Sequence, residues 1–480
     1  MRSAQDTMTL IFSGHPFAYE TERLFRSFFP PVKIAMTNSA EDVSGDFCLT
    51  ERSESGGVIM LSVEMSAGEF SKRMTTEIPT GTPDKEQERA LCVLLYRVLS
   101  EYTGVRPPWG ILTGIRPVKL LADMDESAAA ERLLVSPEKT KLAHRINAVQ
   151  KPIIAGIPGR SFSLYVSIPF CPTRCSYCSF VSHSVDKAAG LVGDYLDRLC
   201  EELSLTAETA RSAGLHLDTI YFGGGTPTTL SAEQLKRLFA ALECFDLSAV
   251  REFTVEAGRP DTITREKLEA IKQAGAGRIS VNPQTMNDSV LEAVGRRHNT
   301  AQTERAYALA REVGFDSINM DLIAGLPTDT VEGFIRSLDR VCGLAPENIT
   351  VHSLSLKRAA RLFRERECEP SGAYEMTSYA HEKLSACGYE PYYLYRQKNT
   401  ADNCENTGYA KPRTESLYNM FIMEEVQTIL AVGAGASTKL VDIPSKRIER
   451  ISNLKYPYEY LSRFNEVKAG KSKIIDFFDK

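Results

Sequence analysis

The chain has 480 residues, 43% apolar and 25% charged, enough for two or three domains and for a large buried core. Fifty-seven Lys and Arg against 62 Asp and Glu leave a net charge of −5, which excludes a generally basic nucleic-acid binder, and no apolar run approaches the roughly 18 residues of a membrane span. Met1-Arg2-Ser3-Ala4-Gln5-Asp6 lacks the features of a signal peptide, so a cytoplasmic location is expected, where 11 Cys point to metal or redox chemistry before disulfides.

Residues 1–160 read as a small α/β domain. Strands are predicted at 9–12 and 58–65. A helix follows, capped by Thr82 with Pro83 in its first turn; Leu91, Leu94, Leu95, Val98 and Tyr102 form its apolar stripe, and Gly104 ends it. Residues 107–117, Pro-Pro-Trp-Gly-Ile-Leu-Thr-Gly-Ile-Arg-Pro, read as a packed connector anchored by the only tryptophan, Trp109.

From Ser163 the pattern changes to alternating strands and amphipathic helices. Strands are predicted at 164–168, 219–222, 253–256, 278–281, 317–321 and 348–353. The helices between them carry Leu196, Leu199 and Leu203; a Ser231/Gln234 capping box before Leu235, Leu238, Phe239 and Leu242; Leu268 and Ile271 up to Gly275; and a last segment from Thr300 to Gly314. Strands separated by helices pair in parallel through right-handed crossovers, so the fold class is α/β, a partial (β/α)6 barrel. In such a barrel chemistry collects after the C-terminal ends of the strands.

Polar motifs recur at those positions. The first strand leads into Cys171-Pro-Thr-Arg-Cys175-Ser-Tyr-Cys178. Three thiolates on one tight loop can hold three irons of a 4Fe–4S cluster and leave the fourth open. A zinc site completed by His183 is the alternative, although the three-residue gap after Cys171 fits paired zinc ligands poorly. The second strand ends in Gly223-Gly224-Gly225-Thr226-Pro227, either a tight turn or a place where backbone N–H and C=O groups approach a charged ligand. The third ends at Glu256, the fourth runs through Arg278, Ser280 and Asn282 to Gln284, and Arg296-Arg297-His298 follows. The fifth carries Asn319-Met-Asp321-Leu-Ile-Ala-Gly-Leu-Pro327, in which Asp321 could also cap the next helix; Gly433-Ala-Gly-Ala436 lies near the end.

The C-x3-C-x2-C loop, with aromatic Tyr177 before its last cysteine, resembles the radical S-adenosylmethionine (SAM) superfamily. The Gly-Gly-Gly-Thr-Pro and Asn-x-Asp-Leu-Ile-x-Gly-Leu-Pro segments resemble its oxygen-independent coproporphyrinogen III oxidase family. The N-terminal extension, Lys357-Arg358, Tyr395 to Asn399 and Gly408 to Pro412 are similar to the HemZ-type, coproporphyrinogen dehydrogenase-like branch. The resemblance implies a radical SAM barrel at 161–360, a substrate-covering α+β extension at 361–480, and two cofactors, a 4Fe–4S cluster and SAM. It makes Cys171, Cys175 and Cys178 the iron ligands, and assigns SAM contacts to Tyr165, Tyr177, Gly224, Gly225, Thr226, Glu256, Gln284, Arg296 and Asp321. Among these, Glu256 is read as gripping ribose hydroxyls and Asp321 as meeting the adenosine side.

The activity implied is oxidative decarboxylation of coproporphyrinogen III propionates to vinyl groups, giving protoporphyrinogen IX in haem biosynthesis. The implied partners are the porphyrinogen and an electron-donor protein such as flavodoxin or ferredoxin; a monomer without nucleic-acid partners is expected. Lys357, Arg358, Arg361, Arg396, Lys398 and Lys411 are candidates for meeting the substrate's carboxylates at the barrel mouth. One position departs from the family pattern: its oxidases carry a further cysteine two residues after the third, where this chain has Phe180. The family's haem-chaperone relatives have an aromatic residue there, so a haem-binding chaperone, or radical chemistry on another substrate, remains an alternative.

Overall fold

The computed structural model describes residues 7–29, 33–38, 45–180, 182–355, 357, 360–362, 372–398 and 400–479. Met1–Asp6, Arg358 and Asn399, all singled out above, lie outside the described residues. Packing divides the chain into two units, Met1–Arg145 and Ile146–Lys480.

In the first unit β1 (Thr7–Ser13) pairs in parallel with β2 (Lys33–Thr37) and β3 (Phe47–Ser55). The sheet continues antiparallel through β4 (Val58–Ala67) and β5 (Phe70–Pro79). The predicted helix is Asp84–Thr103, and its stripe residues Leu91, Leu94, Leu95 and Val98 are buried in a core with Leu10, Leu61 and Val63, with Tyr102 packed against it. Its N-cap is Pro83, not Thr82; the Thr82 hydroxyl instead donates to Pro79 O at 2.7 Å, closing the preceding turn. Gly104 ends the helix at φ 71°, a left-handed conformation that favours glycine. Trp109 is buried, with the Lys139 ammonium over its ring.

The second unit is built on one 11-stranded sheet. In chain order it begins with β6 (Ser161–Ile168), followed by the two-residue strands β7 (Phe170–Cys171) and β8 (His183–Ser184), which pair with each other in a separate sheet. Then come β9 (His216–Gly224), β10 (Glu252–Glu256), β11 (Arg278–Ser280), β12 (Ser317–Ala324) and β13 (Asn348–Ser353). β6, β9, β10, β11, β12 and β13 lie side by side in sequence order, all parallel, so the six predicted strands form the partial barrel. The predicted capping box at Ser231/Gln234 is formed, and Gly314 ends helix Thr300–Val313 in the left-handed region.

The C-terminal segment adds to both edges of this sheet. β14 (Glu390–Tyr395) and β15 (Asn406–Ala410) extend it antiparallel beyond β13. β16 (Thr428–Val432) pairs in parallel with β6 as a seventh parallel strand, followed by antiparallel β17 (Ser437–Asp442) and β18 (Arg447–Ser452). Alternation sorts the barrel strands into two faces. Leu164, Val166, Ile220, Phe222, Val255, Ile279, Ile318, Met320 and Val351 belong to the apolar core. The residues between them include Ser163, Tyr165, Tyr221, Glu256, Ser280, Asn319, Asp321, Thr350 and His352, so the opposite face, the barrel lumen, is polar. Among the described residues no helix is long and apolar enough to cross a membrane.

Candidate cluster and cofactor site

The cysteine loop is clamped at both ends. Phe170 and Cys171 register against His183 and Ser184, and the His183 N–H donates to Pro169 O at 2.9 Å. Between them the loop is tied down by Cys178 N–H to Cys175 O (3.1 Å), Ser176 N–H to Val294 O (3.0 Å) and Leu362 N–H to Ser176 O (3.1 Å). All three loop cysteines are free and partly exposed. Burial raises the Cys171 thiol and pushes Cys178 up to about 11, and Cys175 raises both further, so the three thiols lie close enough to repel as thiolates. Among the described residues no three His, Cys, Asp or Glu side chains converge tightly enough for one metal ion. A 4Fe–4S cluster takes each thiolate on a different iron and needs no such convergence. The His183 ring packs edge-on to Tyr456 and Tyr458, at 6.2 and 6.4 Å, an arrangement that does not favour a fourth zinc ligand.

The glycine motif passes directly beneath this loop. β9 runs in register with β6 to the pair Ile168–Gly224. The Gly225 N–H then donates to Ile168 O (2.8 Å) and the Thr226 N–H to Phe170 O (2.7 Å), while the Thr226 hydroxyl lies 3.5 Å from Cys171 Sγ. A Cβ on Gly225 would sit 2.6 Å from Phe170 O and 3.0 Å from Cys171 Sγ, so only glycine lets the two backbones approach. The N–H groups expected to meet a ligand at 225 and 226 are therefore spent on the fold, and the polar backbone that this segment can still offer a ligand ammonium is carbonyl oxygen.

Across the lumen Tyr165, Tyr221 and Tyr418 stack, the last two with centroids 4.3 Å apart. The Tyr221 hydroxyl donates to Glu256 Oε1 at 2.5 Å. Burial pushes the Glu256 carboxyl up to about 7; the Tyr221 bond opposes the shift and the nearby Asp321 charge adds to it. Asp321 behaves oppositely. Burial pushes its carboxyl up, but His352 Nε2 at 3.7 Å and the Asn319 amide at 2.7 Å outweigh it and hold Asp321 below the usual carboxylate range. Two carboxyls on one face thus differ in their tendency to ionise.

Gln284 stands beside Asp321 with φ 70°, donating its N–H to Asp321 O and accepting from Ile323 N–H, both at 2.8 Å. Its Oε1 is buried without a hydrogen-bond partner, and so are Ser280 Oγ, Asn282 Oδ1 and Arg296 Nε. Ser280, Asn282 and Gln284 alternate along one segment at the end of β11. Unpaired buried polar atoms cost free energy and in native proteins are rare, so such a row could receive a polar ligand. The remaining Arg296 nitrogens reach Tyr177 OH (3.0 Å), Gly258 O (2.6 Å) and Asn282 O (2.9 Å), tying the cysteine loop to the ends of β10 and β11.

Tyr165, Glu256, Gln284 and Asp321 thus line the lumen while Tyr177, Gly224, Gly225, Thr226 and Arg296 adjoin the cysteine loop. Sequence reasoning passed over Tyr221, His352 and the ion pair of buried Arg259 with Asp261. Tyr221 was detectable from its alternation with Ile220 and Phe222, but Arg259 follows its strand in an unpatterned turn. Arg259 forks onto Asp261 through Nε (3.0 Å) and Nη2 (2.9 Å); although burial pushes the Asp261 carboxyl up, this fork holds it below the usual range, ionised. Of the cationic candidates, Lys357 is exposed and its ammonium is close enough to sense Cys178. Lys411 is misplaced by the sequence reading: it follows Ala410, which pairs with Asn348 at the N-terminal end of β13, and its ammonium meets Ala345 O at 2.6 Å, at the end of the barrel opposite the cluster loop.

Residues 165–341 match the family described as the Radical SAM superfamily. The oxygen-independent coproporphyrinogen-III oxidase-like protein HemZ of Bacillus subtilis is 40% identical over 414 residues, 82% of this chain and 83% of that protein. The heme chaperone HemW of Bacillus subtilis is 33% identical over 62% of this chain and 77% of its own length. Among solved structures, coproporphyrinogen III oxidase HemN from Escherichia coli, described as a radical SAM enzyme, superimposes with a TM-score of 0.51 at 25% identity, covering 66% of this chain and 72% of that one.

Proposed function

The chain belongs to the radical SAM superfamily, in the oxygen-independent coproporphyrinogen III oxidase-like family that includes HemZ, and from that footing we propose that it oxidatively decarboxylates coproporphyrinogen III to protoporphyrinogen IX. The superfamily's cofactors are a 4Fe–4S cluster and SAM. When bound, they would supply one-electron reductive cleavage of SAM and with it hydrogen-atom abstraction from a propionate β-carbon, after which loss of CO2 and of one electron to an acceptor would leave the vinyl group. The electron comes from a one-electron donor protein of the flavodoxin or ferredoxin kind.

The chain's own residues have four tasks in this reading. Cys171, Cys175 and Cys178 ligate three irons. The unpaired acceptors Gln284 Oε1 and Asn282 Oδ1 and the unpaired donor Arg296 Nε take the amino-acid end of SAM. Glu256, its carboxyl raised by burial to about 7, and ionised Asp321 take the ribose and adenosine side. The stacked Tyr165, Tyr221 and Tyr418 exclude water from the lumen. The row of orphaned polar atoms at the end of β11 is the observation that carries the cofactor half of the proposal, and the similarity to HemZ supports the substrate half.

Phe180 favours a second reading, a haem-binding chaperone. It is 66% exposed where the family's oxidases carry a further cysteine. Anaerobic incubation with SAM, reductant and coproporphyrinogen III, alongside a haem titration, separates the two. The oxidase yields vinyl-bearing porphyrinogen; the chaperone yields a haem absorption spectrum, transfer to an acceptor, and four intact propionates.

A further inference from the structure

We propose that Arg259, oriented by Asp261, is a positioning residue that sets the reduction potential of the cluster through the sulfur of Cys175. The inference rests on the reading that Cys175 is an iron ligand. Arg259 is 4% exposed, yet it is not enclosed in a self-contained ion pair. Two of its nitrogens form the fork onto Asp261. The third, Nη1, is left to face the cysteine loop, where it reaches Thr173 Oγ1 at 3.0 Å, Thr173 O at 3.3 Å and Cys175 Sγ at 3.9 Å. The fork therefore fixes which edge of the guanidinium meets the sulfur.

Reduction adds one negative charge to an iron–sulfur cluster. A buried cation that donates toward a ligating sulfur favours the reduced form and raises the potential. Asp261 lies on the far side of the guanidinium and opposes that effect from a greater distance. The two residues thus act with opposite sign, which distinguishes electrostatic tuning from a purely mechanical clamp on the loop. A clamp would respond in the same way to loss of either partner.

The test is an anaerobic redox titration of the reconstituted full-length protein, followed by the electron paramagnetic resonance of the reduced cluster, with iron content measured in parallel. Arg259→Gln should lower the potential by about 59 mV, a tenfold change in the one-electron equilibrium. Arg259→Lys, which keeps the charge, should recover at least half of that shift, and Asp261→Asn should raise the potential. Equal potentials across the series, or shifts of Arg259→Gln and Asp261→Asn in the same direction, would overturn the proposal. If Arg259→Gln fails to hold iron, an unshifted or lowered Asp261→Asn overturns it instead. Absence of any cluster from the unaltered protein would refute the ligand assignment itself, and this inference with it.

Discussion

Gln284 holds a left-handed backbone, φ 70°, at a position without the freedom of glycine. Such a conformation costs on the order of 1 kcal/mol or more and persists where the surroundings over-determine it, here through both backbone hydrogen bonds to β12. Gln284→Gly should therefore raise stability by up to about 1 kcal/mol in denaturant titration, while SAM affinity falls about tenfold (about 1.4 kcal/mol); unchanged affinity would remove Gln284 from the site. Glu256 gives a pH test. Its carboxyl is raised from 4.5 to about 7, so the folded chain holds that proton more tightly than the unfolded chain. Its contribution to stability is full below about pH 4.5 and is lost as the pH rises through about 7, a difference of at most about 3 kcal/mol. Glu256→Gln should flatten that part of the stability profile between pH 5 and 8. Cys175→Ala should abolish cluster absorbance on anaerobic reconstitution; a fully active, iron-free variant would contradict every reading offered here. The three cysteines were legible because residue type and spacing together carry their chemistry. Arg259 and His352 were not, since an arginine in a turn or a histidine in a strand acquires meaning only from what the fold brings beside it.

The element that shapes the site is the crossing of the glycine segment beneath the cysteine loop. Gly225→Ala would drive a Cβ to 2.6 Å from Phe170 O, a backbone atom that cannot swing aside. Overpacking of this kind costs about 1–3 kcal/mol. The expected outcome is a folded protein that loses iron during gel filtration at a faster rate than the unaltered chain; equal retention would show that the loop tolerates displacement. The six alternating strands were readable because polar motifs recur at their ends and helices with side-chain caps follow β9, β10, β11 and β12. β16 was missed: Thr428-Ile-Leu-Ala-Val432 is buried throughout, and a short continuous apolar run carries no period to tell strand from helix. Only the glycine turn after it was noticed. Thr82 looked like a cap, but its hydroxyl closes the turn before the helix, a choice that local sequence leaves open.

At the scale of the molecule, the described residues form a core around Leu10, Leu61 and Leu95 in the first unit, and in the second a core of the barrel and its helices with a smaller cluster around Tyr392 and Phe421. Within the second unit, Val149, Ile153 and Ile154 from the C-terminal part of helix Pro137–Ala155 pack with Tyr392 and Phe421. A chain shortened to begin at Pro137 should accordingly retain the cluster spectrum and a cooperative thermal transition, whereas a start beyond Ile154 should lower the melting temperature by several degrees. The general chemistry was legible from three short motifs; the choice of substrate was not, because those motifs describe how cofactors are held and leave open what reacts. The central claim is that a propionate β-hydrogen is the atom removed. Coproporphyrinogen III deuterated at the propionate β-carbons, incubated anaerobically with the reconstituted protein, SAM and reductant, tests it most directly. Deuterium in the 5′-deoxyadenosine together with a vinyl-bearing product is the predicted result; unlabelled 5′-deoxyadenosine with all four propionates intact would contradict it.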